Sequence, residues 1–345
     1  MNQTSDKNII FGLSASKGLT EKVAKIMDAK VGKISIQRFA DGEILVTPEE
    51  TIRGLDVTLI QSISNPVNEN LMELLIAIDA IKRSSAKSIN IIIPYMGYAR
   101  QDRKTKPREP ITFKLVAKML ETAGATRILT FDIHSDQTQG FFDIPFDSLR
   151  ASLFLLKDFI NTTQIKDFVV VSPDYGGVKR SKEISQMLNM PLAIIDKRRP
   201  APNQVEVTNI LGDVENKDCV IFDDMIDTGG TVIASAELLK KYGAKSVSIL
   251  VTHGLFNGNS VDRFNDAINK GYINNIFVTD TIEKENKING LHIVTVAQPI
   301  SRAIELFNIG HGSLSYIIKD GSSDLKTEIR EQLGCVDEEC KIKIK

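Results

Sequence analysis

Short apolar, β-branched runs alternate with helical stretches along most of the chain. Val57-Thr58-Leu59-Ile60, Ile89-Asn90-Ile91-Ile92-Ile93, Arg127-Ile128-Leu129-Thr130-Phe131, Phe168-Val169-Val170-Val171, Ala193-Ile194-Ile195, Val220-Ile221-Phe222 and Val247-Ser248-Ile249-Leu250-Val251 are apolar almost throughout. A continuous apolar run predicts a parallel strand covered on both faces, whereas alternation would predict one wet face. Segments such as Asn68 to Arg83 and Thr231 to Tyr242 read as helices between them. Strand–helix–strand repetition of this kind predicts an α/β fold with mainly parallel sheets flanked by helices.

The pattern also repeats. Asp56-Val-Thr-Leu-Ile-Gln61 leads through a helix to Ala86-Lys-Ser-Ile-Asn-Ile91, and Asp218-Cys-Val-Ile-Phe-Asp223 leads through a helix to Ala244-Lys-Ser-Val-Ser-Ile249. Pro94-Tyr-Met-Gly97 after one strand is echoed by Pro173-Asp-Tyr-Gly176 after another. Either any two such units look alike, or a domain has been duplicated with a boundary near residue 150. The two copies differ after the strand: the second has Asp223-Asp224-Met225-Ile226-Asp227-Thr228-Gly229-Gly230-Thr231, the first only Gln61-Ser62-Ile63-Ser64-Asn65.

Composition narrows the reading. The 345 residues exceed one ordinary core, so two domains are expected, and 42% hydrophobic with 25% charged residues is globular composition. With 43 Lys+Arg against 44 Asp+Glu the formal net charge is −1, which argues against a broad nucleic-acid footprint. Phosphate recognition must then be local. Three cysteines do not make a disulfide scaffold and fit a reducing compartment. Cys335 and Cys340 read as free thiols, with a metal pair as the weaker alternative. The N-terminus shows no signal-peptide pattern and no stretch approaches a membrane span, so a cytoplasmic protein without membrane partners is expected.

Candidate chemistry gathers at the strand ends. After Phe222 two adjacent carboxylates precede Asp-Thr-Gly-Gly-Thr and a helix. Glycine N–H groups, hydroxyls and a helix N-terminus suit a phosphate, and carboxylates beside it suit a ligand that also carries hydroxyls, such as a sugar phosphate. An ordinary N-capped helix is the plainer reading. Within Tyr98 to Arg108, Arg100 to Arg108 holds five basic residues in nine, either a funnel for several phosphates or a solvated or RNA-contacting loop. Asp196-Lys197-Arg198-Arg199-Pro200-Ala-Pro202 reads as a loop, either a cationic lid or a surface patch. Asp132-Ile133-His134 and Ser172-Pro173-Asp174 follow strands and offer possible Mg²⁺ donors, although a lone histidine is often structural. Phe39-Ala-Asp41-Gly-Glu43 marks a turn that either reads a base or is a plain hairpin. No G-x-x-x-x-G-K-[ST], no strand-borne G-x-G-x-x-G and no G-x-S-x-G is present.

Together with segments 70–75 (Asn-Leu-Met-Glu-Leu-Leu), 98–104 (Tyr-Ala-Arg-Gln-Asp-Arg-Lys), 108–112 (Arg-Glu-Pro-Ile-Thr), 139–145 (Gln-Gly-Phe-Phe-Asp-Ile-Pro) and 171–174 (Val-Ser-Pro-Asp), these motifs closely resemble class I ribose-phosphate pyrophosphokinase over roughly residues 7–319. The resemblance implies two tandem phosphoribosyltransferase-like domains. These are an ATP-contacting domain at 1–150 and, at 151–322, a domain with the ribose 5-phosphate loop and lid; an extension of unknown role follows at 323–345. It implies transfer of the pyrophosphoryl group of ATP to the 1-hydroxyl of ribose 5-phosphate, giving AMP and 5-phosphoribosyl 1-diphosphate.

The resemblance also implies roles for residues. Lys197 and Arg199 would be catalytic, and Phe39, Asp41, Glu43, Arg100, Gln101, Asp102 and Arg103 would hold ATP, the first three from a neighbouring subunit. Arg199, Asp223, Asp224, Asp227, Thr228, Gly229, Gly230 and Thr231 would hold ribose 5-phosphate. His134 and Asp174 would help bind Mg²⁺. A homohexamer built from dimers, activated by phosphate and inhibited by ADP, is implied as well, with Thr51, Arg53, Ser84, Ser85, Ser313 and Ser315 at the regulatory positions. Thr51 stands where serine is usual. A non-catalytic relative of the synthetase and a phosphoribosyltransferase are the competing functions. The first should have lost part of the catalytic set, and the second would be a single domain without ATP motifs.

Overall fold

A computed structural model describes residues 8–198, 207–285, 287–310, 312, 314, 317, 328–330, 332 and 333, with backbone alone for 197, 198, 207 and 208. The chain forms two compact units. The first comprises residues 1–150, 280–284 and 295–319, and the second 151–279, 285–294 and 320–345. The chain passes from the first unit to the second after residue 150, and residues 295–319 return to the first.

In chain order the first unit carries β1 (Asn8–Gly12), α1 (Lys17–Ile26), β2 (Ile34–Arg38), β3 (Ile44–Pro48), β4 (Asp56–Ile60), α2 (Val67–Arg83), β5 (Ser88–Ile93), α3 (Thr112–Ala123), β6 (Arg127–Phe131) and β7 (Phe146–Leu149). The second carries α4 (Ser152–Thr163), β8 (Val169–Ser172), α5 (Val178–Leu188), β9 (Leu192–Arg198), β10 (Val207–Leu211), β11 (Asp218–Ile226), α6 (Gly230–Lys241), β12 (Ser246–Gly254), α7 (Ser260–Asn269), β13 (Asn275–Thr279) and β14 (Leu291–Val294). Then α8 (Ala297–Ile309) closes the first unit. Its buried face, Ile300, Ala303 and Ile304, packs with α1, where the Ser301 hydroxyl donates to the Val23 carbonyl at 3.4 Å. Arg127 lies 4.6 Å from the centre of the Phe307 ring and adds a cation–π contact. Apolar burial on this face draws α8 to the first unit although it follows the second in sequence.

The first unit's sheet runs β1-β4-β5-β6-β7, all parallel, and β2 and β3 form a separate two-stranded ribbon. The second unit's sheet runs β10-β9-β8-β11-β12-β13-β14, with β10 its antiparallel edge. Its apolar runs divide residue by residue between two cores. Val169, Val171, Cys219 and Ile221 face α6 and α7, while Phe168, Val170, Val220 and Phe222 face α4 and α5. The period of two therefore persists in strands that read as uniformly apolar, because both faces are covered.

The repeat is real at the level of contacts. Asp56 pairs across the sheet with Ser88 and accepts from Lys87 Nζ at 2.9 Å; Asp218 pairs with Ser246 and accepts from Lys245 Nζ at 2.8 Å. Both serine hydroxyls bond their aspartate. The topologies nevertheless differ. In the first sheet successive strands progress in one direction, whereas in the second the chain moves outward from β8 to β9 and then resumes on the other side of β8 with β11. Such a reversal opens a crevice beyond the carboxyl ends of the two central strands, where α/β sheets bind ligands.

Candidate active site

In the second unit, β8 and β11 are the neighbours at that reversal, and both end in carboxylate-bearing loops. On β11, Asp223 and Asp224 follow the core residue Phe222 on successive faces, and Ile226 returns to the core at the end of the strand. Arg180, on the first turn of α5, stands against both. Its Nη1 is 3.5 Å from Asp223 Oδ1 and 3.5 Å from Asp224 Oδ1. The Asp224 N–H donates to Asp223 Oδ1 at 2.9 Å. Burial pushes the Asp223 carboxyl up to about 8, the charge of Asp224 adds to the rise, and Arg180 opposes it. A buried pair of this kind is built to receive donors such as sugar hydroxyls.

Downstream, Asp227 to Thr231 forms the turn into α6. Asp227 Oδ1 accepts from Asn257 Nδ2 at 2.9 Å, and its carbonyl accepts from the Asn257 N–H at 3.0 Å. The Thr228 carbonyl accepts from Arg263 Nη1 at 3.2 Å. Gly229 has φ +77°, and a Cβ there would meet Phe264 Cε2 at 2.5 Å. Glycine is required at this point both by conformation and by the close approach. No side chain caps α6. Its first N–H groups, with the exposed Thr228 and Thr231, therefore form an anion cradle. Capping by Asp227 or Thr228, the plainer reading of the sequence, is not what the geometry shows.

After β8, Asp174 is half-buried. Its Oδ1 accepts the Gly177 N–H at 3.0 Å and its carbonyl accepts the Ser172 hydroxyl at 2.8 Å. Asp196, Lys197 and Arg198, expected in a loop, continue β9, because β10 pairs with them across the ribbon, Lys197 opposite Thr208. The Lys197 side chain and all of Arg199 lie outside the described residues.

In the first unit, β5 leads into the basic segment. Arg100, Gln101 and Arg103 are exposed and Asp102 is half-buried. Gln101 is fixed at three points: its N–H donates to the Tyr98 carbonyl at 2.8 Å, its carbonyl accepts from Phe113 N–H at 3.2 Å, and its Oε1 accepts from the Thr112 hydroxyl at 2.6 Å. The Glu109 carboxylate accepts from the Thr105 hydroxyl and from the N–H groups of Thr105 and Lys106, which lowers its pKa and ties the loop. Phe39, 52% exposed, begins the turn between β2 and β3. Gly42 N–H donates to its carbonyl and Glu43 N–H donates to Asp41 Oδ1 at 3.1 Å. Arg38, at the base of that turn, reaches Glu69 at 3.0 Å and the fully buried Glu73 at 3.6 Å. His134 is exposed beyond β6, next to Ile133 and the buried Asp132, which faces Arg150 at 3.6 Å.

Of the positions implied as regulatory, Arg53 and Ser85 meet, with Nη1 donating to the hydroxyl at 3.1 Å. Ser84 turns its hydroxyl to the Ala80 carbonyl and Thr51 is exposed. Ser313 and Ser315, like Cys335 and Cys340, lie outside the described residues. Sequence reading missed Arg180, Asn257, Arg263 and Glu73. Glu73 lay within a quoted motif; the others had no local signal, since each is recruited from a different element.

Residues 8–124 match the family described as the N-terminal domain of ribose phosphate pyrophosphokinase, and residues 147–286 match the phosphoribosyl transferase domain. A ribose-phosphate pyrophosphokinase of Ureaplasma parvum is 54% identical over 322 residues, 93% of this chain and 97% of that protein. Its counterpart in Mycoplasma genitalium is 56% identical over 276 residues, 80% of this chain and 83% of that one. A crystal structure of phosphoribosylpyrophosphate synthetase from Mycobacterium smegmatis matches with a TM-score of 0.82 at 40% identity, over 88% of this chain and 100% of that one. On the matched domains, the shared motifs and the common fold, the chain is an enzyme of the ribose-phosphate pyrophosphokinase family.

Proposed function

We propose a division of labour for the reaction of this enzyme, transfer of the pyrophosphoryl group of ATP to the 1-hydroxyl of ribose 5-phosphate. The observation that carries it is the pairing, at one sheet reversal, of the half-buried Asp223 and buried Asp224 carboxylates with an uncapped helix N-terminus behind Asp-Thr-Gly-Gly-Thr. Thr228, Gly229, Gly230 and Thr231 take the 5-phosphate, while Asp223, Asp224 and Asp227 take the ring hydroxyls. Arg100, Gln101, Asp102 and Arg103 contact ATP, and Phe39, Asp41 and Glu43 grip its adenine and ribose from a neighbouring subunit. The 1-hydroxyl oxygen bonds the β-phosphorus and loses its proton. The bond between that phosphorus and the oxygen bridging to the α-phosphate breaks, and AMP departs with that oxygen. Lys197 and Arg199 stabilise charge growing on the transferring phosphoryl oxygens, a contribution on the order of 10³–10⁵ in phosphoryl transfer.

The family's chemistry calls for a metal, and Mg²⁺ is the one proposed. Among the described residues no cluster of three or more His, Cys, Asp or Glu could hold an ion alone. That donor set suits Mg²⁺, which keeps waters and is carried chiefly by substrate phosphates with one or two protein ligands. His134 and Asp174 would be those ligands, and the ion would neutralise triphosphate charge. A hexamer assembled from dimers is the proposed quaternary state. The exposed Phe39 at the tip of the β2–β3 ribbon supports it, since an adenine-reading face needs something opposite. Among the described residues no helix is long and apolar enough to cross a membrane, which supports the cytoplasm as the location.

The test supplies ATP, Mg²⁺ and ribose 5-phosphate and measures AMP. Formation of AMP only when the sugar is present is the expected result; AMP release independent of the sugar overturns the assignment.

A further inference from the structure

We propose that Arg180 is the positioning residue for the sugar subsite. It bridges Asp223 and Asp224 with one guanidinium nitrogen and opposes the retention of a proton that would leave the pair fewer acceptors for the hydroxyls of ribose 5-phosphate. The proposal rests on the reading that these two carboxylates bind the sugar.

Two carboxylates adjacent in sequence at a buried strand end face each other's charge in a medium that screens poorly. Left to themselves such a pair retains a proton. A protonated carboxyl spends one oxygen as a donor and accepts fewer hydroxyls. Arg180 changes that balance from across the layer. Its side chain is 16% exposed, and it stands 3.5 Å from an oxygen of each aspartate. A guanidinium remains charged throughout the working range and presents its donors in a rigid plane, which a lysine at the same place cannot do.

Other groups stand around this pair. Asp174 follows β8, and its Oδ1 is occupied with the Gly177 N–H. From β12, Val251 lies level with Asp223 and the buried His253 level with Met225. On the other face of the sheet lie α6 and its phosphate cradle. Arg180 also begins the helix that follows the Asp174 loop, so one helical turn connects the two carboxylate-bearing strand ends. The rise of the Asp223 carboxyl despite this neighbour indicates how far the pair would drift without it.

Three full-length variants, Arg180→Met, Arg180→Lys and Asp223→Asn, test this by steady-state kinetics between about pH 6 and 9.5, a window spanning the Asp223 titration. Arg180→Met is expected to raise KM for ribose 5-phosphate by roughly 10-fold or more, with KM for ATP within about twofold. It should also move the acid limb of kcat/KM for the sugar alkaline by about one pH unit, because the carboxylates then lose their counter-charge. Arg180→Lys should restore the limb and only part of the KM. If Arg180→Met leaves both the sugar KM and the limb in place, or lowers kcat without moving either, Arg180 has no positioning role. If it fails to fold, Arg180→Lys decides: a sugar KM equal to wild type rejects the proposal and a raised one supports it. Asp223→Asn separates the two levels. A raised sugar KM there, with Arg180→Met unaffected, rejects Arg180 alone; an unchanged sugar KM rejects the sugar subsite itself.

Discussion

At the level of single residues, the active site is a place where stability is given up for function. Burial and the neighbouring Asp224 charge push the Asp223 carboxyl up to about 8 from an ordinary 3.8. The folded state therefore favours the neutral form, and the associated stability is fully present below about pH 4 and lost as the pH rises through 8. Asp223→Asn has no such loss. Its Tm in the absence of substrates should gain on wild type steadily from pH 4 to pH 8, by several degrees at the upper end, while sugar binding fails. A Tm difference that does not change with pH would contradict the burial argument. In the proposed mechanism Lys197 belongs at the other extreme, a group whose value would lie in the transition state. Lys197→Ala should lower kcat roughly 10³-fold with KM for ATP far less affected, and a decrease of only a few-fold would remove it from that role. Both residues were legible as candidates because their signals are local: a doubled carboxylate after an apolar strand, and cations ahead of prolines. Arg180 was not, since nothing in Val178 to Leu188 distinguishes that arginine from Lys179 or Lys182 until the helix is docked against β11.

At the level of elements, the extension beyond residue 322 gains a structural role. Ile329 is fully buried in the core formed by α4, α5 and the outer face of the sheet, with Leu333 beside it. Lys157 pairs with Glu328 at 2.8 Å, and Arg330 Nη2 donates to the Met187 carbonyl in the last turn of α5 at 3.1 Å. The segment thus covers the same helix that begins with Arg180's turn, and it satisfies a C-terminal carbonyl that the helix cannot. Burying an isoleucine is worth about 1.5–3 kcal/mol. Ile329→Asp, or deletion of 323–345, should therefore lower Tm by roughly 2–4 °C per kcal/mol lost, read by thermal unfolding. No change in either variant would mean that this docking contributes nothing. Composition alone reads there as an appended helix or a loose end, because two apolar anchors in a charged tail give no periodic pattern. The continuation of β9 through Lys197 was hidden for a related reason. A cationic stretch before prolines reads as loop, and only pairing with β10 keeps it extended.

For the molecule as a whole, the assembly carries the remaining predictions. If the Phe39 turn completes an ATP site on a neighbouring copy, light scattering should report a mass several times that of one chain, and Phe39→Ala should raise KM for ATP without altering the mass. A monomer that is fully active would contradict both. Regulation by phosphate, resting on Arg53 and Ser85 with Thr51 close in sequence, should appear as activation across a phosphate titration, and a flat curve would remove it. The two copies of the repeat illustrate how far sequence reaches. Strand–helix alternation, the aspartate–lysine–serine clasp and the acidic Thr-Gly-Gly-Thr turn are written in short stretches of chain, and they predicted an α/β duplication with a sugar-phosphate loop in the second copy. In the first copy the place of that loop is taken by Ser62, whose hydroxyl bonds Thr281, while Glu283 places its carboxylate on the N–H groups that open α1. Such long-range insertion, the strand reversal beside β8 and the return of α8 depend on which surfaces find partners once the chain has collapsed. Hydrophobic burial is indifferent to sequence order, so these features were decided by packing and strand order rather than by any neighbouring residues.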